Sequence, residues 1–165
     1  MPKRLIKILA INPGTRYIGV AVFEGPELLD WRVKVTKGRW SKEKPNKLML
    51  IVRSFIDRYE PDVLAIKKLQ CSRSSENLNR LIHRIKQLSK RKGLRVHQYS
   101  IKEVEKFFFP EGKTNKRKLA EILALKYPEL SHELKKEKAN KNPYHIRMFE
   151  AAALGAVCSH QLDKN

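Results

Sequence analysis

The chain has 165 residues, 41% of them hydrophobic and 32% charged, and its 36 Lys and Arg outnumber 17 Asp and Glu for a formal net charge of +19. That length fits one ordinary domain, and the apolar share supports a core, which excludes wholesale disorder. No apolar run approaches the ~18 residues of a membrane span; Lys7 and Asn12-Pro13-Gly14 interrupt what would have to be a leader; and Cys71 and Cys158 lie too far apart for a disulfide framework or a Cys-based zinc site, which suits a reducing, cytoplasmic setting.

Leu5 to Ile11 is short and nearly all apolar, the pattern of a central strand buried on both faces. Asn12-Pro13-Gly14-Thr15 is a turn, since Pro cannot continue a ladder and Gly accepts a positive φ. A second strand runs from Tyr17 to Phe23 and closes at Gly25-Pro26. In the third, Leu29, Trp31, Val33 and Val35 alternate with Asp30, Arg32, Lys34 and Thr36, a half-exposed antiparallel strand.

The periodicity then becomes helical. Leu48, Ile51, Val52, Phe55, Ile56 and Tyr59 line one face of a helix within Ser41 to Tyr59, and Pro61 follows it. Val63 to Ile66 is a short buried strand. Leu78, Leu81, Ile82, Ile85 and Leu88 mark a second helix between Ser75 and Lys92, stopped by Gly93. Arg95 to Tyr99 is a fifth strand. Ser100 and Glu103 form a capping box ahead of Val104 and Phe107, and Thr114 is the expected cap of a helix that ends at Tyr127-Pro128. The polar, Lys-rich stretch 131–142 reads as a mobile loop inside one domain. Pro143 opens a final helix with Ile146, Phe149, Ala153, Ala156, Val157 and His160 inward, its Ala and Gly allowing close approach to a sheet. The expected fold is a single α/β domain over 1–165 with a five-stranded mixed sheet, three antiparallel strands then two parallel ones, flanked by helices.

Ile8-Leu9-Ala10-Ile11-Asn12-Pro13-Gly14-Thr15-Arg16, followed by Gly19, resembles the first-strand motif of RuvC-type Holliday-junction resolvases in the RNase H-like superfamily. Pro61 to Lys67 is similar to that family's fourth strand, and the Ala-rich Phe149 to Val157 to its last helix. The resemblance implies an endonuclease of DNA recombination that uses magnesium or manganese. Two such ions ~3.5–4 Å apart clamp the attacking and leaving oxygens of a phosphodiester, and hard cations need oxygen ligands. The family supplies one carboxylate on the first strand, one after the fourth, and two on the last helix.

Here the corresponding positions hold Asn12, Lys67, Arg147 and Glu150. Shifting the helix so that Glu150 takes the first place puts Ala153 in the second and still leaves one acid. Two unit charges at ~4 Å interact by about 4 kcal/mol at an effective dielectric of 20, and a dication facing Lys67 roughly doubles that repulsion. The expectation is therefore no metal, no cofactor and no confident catalytic residue. The Lys67 ammonium should stand where a metal ion would and pair with Glu150 near the Asn12 amide.

Other chemistry finds less support. His145 and Glu150 are five apart on one helix, about 140° round from each other, so they do not share a face. His83, His97, His132 and His160 lack ligand spacing. Cys158 reads as a packed small residue and Cys71 has no identifiable base. No phosphate-cradling Gly-rich motif occurs.

The charge surplus points to a polyanion, and nucleic acid is the densest one. Heat adaptation raises both signs of charge, and no helix has the basic-aromatic faces of a membrane-surface element. Arg16 after the first turn and Lys68 after the fourth strand lie on the side where the family binds substrate. Arg73, Arg80 and Arg84 follow. Lys113, Lys116, Arg117 and Lys118 cluster at a helix N-terminus, which favours phosphate. The functional expectation is a non-catalytic binder of structured or branched DNA, or of RNA. An active nuclease with an unusual ligand set and a protein-interaction scaffold are the alternatives. The family's symmetric dimers make a homodimer a further expectation, and no membrane partner is expected.

Overall fold

The computed structural model describes residues 4–14, 16–35, 40–69, 76–140 and 144–163, with the side chains of 137–140, 144 and 145 excepted. Strands β1 (Lys7–Asn12), β2 (Tyr17–Glu24) and β3 (Glu27–Val35) form an antiparallel meander. Helix α1 (Lys44–Tyr59) leads to β4 (Val63–Lys67), which pairs parallel with β1, and α2 (Glu76–Arg91) leads to β5 (Arg95–Tyr99), parallel to β4. Then come α3 (Ile101–Phe108), α4 (Lys116–Lys126), a 3-10 turn (Pro128–Leu130), α5 (Ser131–Asn140) and α6 (Tyr144–Asp163). The sheet order is β3-β2-β1-β4-β5. This is the expected five-stranded mixed sheet.

The sheet divides the core in two. Ile8, Ala10, Ala21 and Phe23 face α3, α4 and α6, while Leu9, Ile11, Val20 and Val22 face α1 and α2. Period-two alternation thereby sends Asn12 to the α6 side, where it is fully buried. Close approach of α6 needs glycine on either side of the contact. A Cβ on Gly19 would overlap the Arg147 carbonyl, and one on Gly155 would overlap the Phe23 ring. Gly93, at φ +85°, ends α2 as expected.

Four expectations need correction. The 131–142 segment is not a loop over its described part: α5 covers Ser131–Asn140, and Leu134 packs against the core. Its Lys and Glu residues are good helix formers despite their polarity. The cap of α4 is Asn115, whose Oδ1 accepts from Lys118 N at 2.9 Å, rather than Thr114. In β3 the register shifts beside Val22 and Phe23, which pair with Asp30 and Leu28, so Leu29 is the extra residue of a bulge. Leu28 is buried instead, and Leu29 and Val35 are exposed. His160 is exposed too, its ring edge-on to Phe107 rather than on the inner face of α6. Pro143 lies outside the described residues.

Candidate nucleic-acid interface

β1 and β4 end side by side, which brings Asn12 and Lys67 to one edge of the sheet. The first turns of α6 cross that edge. Asn12 Nδ2 donates to the Arg147 carbonyl at 3.3 Å and to Glu150 Oε2 at 3.2 Å. Lys67 Nζ lies 2.9 Å from the same Oε2. The pairing expected from the sequence is therefore present: Glu150 reaches both Asn12 and Lys67. The Arg147 guanidinium flanks the other side, close enough that a Cβ on Gly14 would sit 3.5 Å from its Cζ.

Sequence reasoning missed one member of this cluster as such. Lys116, in the first turn of α4, places Nζ 3.5 Å from Glu150 Oε1. One carboxylate thus serves two ammonium groups, one per oxygen. Its own side chain is 2% exposed, that of Lys67 17% and that of Lys116 60%. A buried carboxylate needs such partners, because desolvation without them costs several kcal/mol. The Asn12 amide completes the arrangement. Its orientation follows from Glu150, since turning it would set Oδ1 against the carboxylate. Oδ1 is consequently buried with no hydrogen-bond partner among the described residues.

A site for the two divalent ions that the family resemblance implies needs several converging carboxylates. The donors of this cluster are one carboxylate already engaged by two ammoniums and one neutral amide oxygen. Among the described residues no three His, Cys, Asp or Glu side chains gather as ligands. A lysine 2.9 Å from the carboxylate stands where a dication would need space and negative charge. These residues do not fit the two-ion site.

The other basic candidates divide by place. Lys68, Lys113, Arg117 and Lys118 are exposed, the last three beside Lys116 on the loop and first turn of α4. Arg16 is exposed just past the β1–β2 turn. Arg80 and Arg84 sit on α2, which packs on the opposite sheet face. Arg80 is held by Glu76 at 2.6 Å and Arg84 donates to Asn46 at 3.1 Å, so neither joins the cluster. Arg73 and Cys71 lie outside the described residues, as does the side chain of His145. Cys158 is buried, and burial pushes its thiol pKa up, which suits a packing role.

Comparison with known proteins gives this geometry a setting. A curated crossover junction endodeoxyribonuclease RuvC from Corynebacterium diphtheriae is 26% identical over 124 residues, 70% of this chain and 76% of that protein. The solved Thermus thermophilus RuvC in complex with Holliday junction substrate superposes with a TM-score of 0.68 at 17% identity, covering 94% of this chain and 96% of that one. The yeast mitochondrial Holliday junction resolvase Ydc2 superposes with a TM-score of 0.64 at 12% identity, over 99% of this chain and 83% of that one. At these identities the two superpositions establish a shared fold. The model of the crossover junction endodeoxyribonuclease RuvC family matches residues 8–140, most of the chain, so the chain belongs to that family.

Proposed function

We propose that this protein binds branched nucleic acid, DNA junctions first, at the edge formed by β1, β4 and α6, and that it holds the phosphodiester without hydrolysing it. The observation that carries this reading is the Lys67–Glu150 pair, 2.9 Å apart, with Lys116 on the other carboxylate oxygen. Two ammoniums against one carboxylate leave the cluster net positive, and Arg147 adds to it. Such a site attracts a phosphate directly and repels the dications that cleavage requires. Family membership supports a junction as the ligand, since a relative is solved with Holliday junction substrate.

The family's endonuclease activity is the competing reading, and membership in that family favours it. Both are tested together. Binding of a four-way junction is measured against linear duplex and RNA over a salt series, and the same junction is incubated with manganese. The proposed reading expects affinity to fall by about 0.9 log unit per log unit of salt for each phosphate neutralised. It expects no cleavage. Manganese-dependent cleavage by the wild-type chain, abolished by Glu150→Ala, would overturn the non-catalytic part. Binding that ignores salt would overturn the rest.

A further inference from the structure

A groove of about 400 Å³ opens between edge strand β3 and helix α5. Trp31, Arg32, Val33 and Lys34 form one wall, Glu133 and Lys136 the other, and buried Met148 the floor. It lies outside the Glu150 cluster, on the same side of the sheet. Asn12 pairs with Gly19 across the sheet, and Gly19 with Val33. The groove wall is therefore two strands from Asn12, roughly 10 Å at ~4.8 Å per strand. Met148 also directly follows Arg147, whose carbonyl accepts from Asn12. Trp31 is partly buried: it packs against the core on the α6 side of the sheet and still lines the groove.

We infer that this groove is a base pocket, which takes one unpaired nucleobase and stacks it against Trp31. The inference rests on the nucleic-acid reading above and names a second contact for the same ligand. An aromatic wall binds any base through its π-face, without sequence readout. The volume falls within the range of small-molecule sites. The Glu133 carboxylate lies 4.0 Å from Lys136 Nζ, and the exposed Lys136 ammonium can meet the phosphate next to the inserted base. Bases stacked inside a duplex cannot enter. The pocket thus selects branch points and unpaired ends near the phosphate held at Lys67 and Lys116.

The chain carries two tryptophans, Trp31 and Trp40. Trp40 packs on the opposite face of the sheet, so Trp40→Phe leaves Trp31 as the sole indole reporter. This variant is titrated with a four-way junction bearing two unpaired thymines at its branch point, and with blunt duplex. The junction should quench Trp31 fluorescence and the duplex should not. Trp31→Ala should weaken junction binding about fivefold to a hundredfold, as loss of one stacked base does, while duplex affinity stays within twofold. Trp31→Phe, the safer variant for folding, should retain most of the junction affinity. Unchanged Trp31 fluorescence in a protein that does bind the junction, or equal junction affinity in folded Trp31→Ala, sinks the base pocket alone. Absence of salt-sensitive binding to any nucleic acid sinks the functional reading and the pocket with it.

Discussion

Lys67→Met tests whether the ammonium is what stabilises the buried carboxylate. The substitution keeps most of the side chain's length and apolar contact but removes its charge. Glu150 is 2% exposed and loses a partner at 2.9 Å. Coulomb attraction at that distance is roughly 6 kcal/mol at an effective dielectric of 20, before desolvation is subtracted. Lys116 at 3.5 Å and the Asn12 amide at 3.2 Å remain. Lys116 is largely exposed, so solvent screens most of its contribution. Breaking a buried pair from one side costs ~3–5 kcal/mol, and the surviving partners reduce that here to about 2–3 kcal/mol. Glu150→Gln should cost less, about 1 kcal/mol, because the freed Lys67 ammonium can turn toward solvent as a snorkelling lysine does. Urea unfolding followed by circular dichroism gives both values, and the double variant closes the cycle. The expected order is Lys67→Met worse than Glu150→Gln, with the double variant near Glu150→Gln. A loss below ~0.5 kcal/mol for Lys67→Met, or the reverse order, would show that Glu150 does not depend on Lys67.

Gly19→Ala should destabilise by about 2–3 kcal/mol, since its methyl would meet the Arg147 backbone, and should weaken nucleic-acid binding in the molecules that still fold; an unfolding midpoint like that of the wild type would refute the close contact. Asn115→Ala should cost about 1 kcal/mol through loss of the α4 cap, while Thr114→Ala costs a few tenths, and thermal melts distinguish the two. Asn12→Asp combined with Lys67→Glu surrounds one point with three carboxylates and should bind manganese by calorimetry where the wild type does not; equal heats would mean that these two positions do not control cation uptake. Burial pushes the Tyr127 phenol up to about 12 and that of Tyr99 further. Both stay protonated in the folded chain while the unfolded chain ionises near pH 10, so stability is intact below pH 10 and falls as pH rises toward 12. Absorbance at 295 nm should show these two tyrosines titrating only with unfolding.

Much of this molecule is written locally. Val63 to Ile66 and Arg95 to Tyr99 announce strands by composition and length, and the α2 face by its period, because burial on one face demands that spacing whatever the partner. The motif positions Asn12 and Lys67 are equally legible, because the stretches that carry the family resemblance run through them. Local pattern does not report contact between distant residues. That Glu150 reaches Asn12 depends on how α6 seats over Gly19, 131 residues earlier in the chain. Lys116 joins the same carboxylate only because α4 packs beside α6. Polarity hid α5, whose helix is completed by its packing through Leu134, and strict alternation hid the Leu29 bulge, which exists only relative to β2. The groove at Trp31 likewise has no sequence signal, because its two walls come from β3 and α5, a hundred residues apart. Backbone preference and hydrophobic period thus determined the elements, and packing alone decided which charges meet.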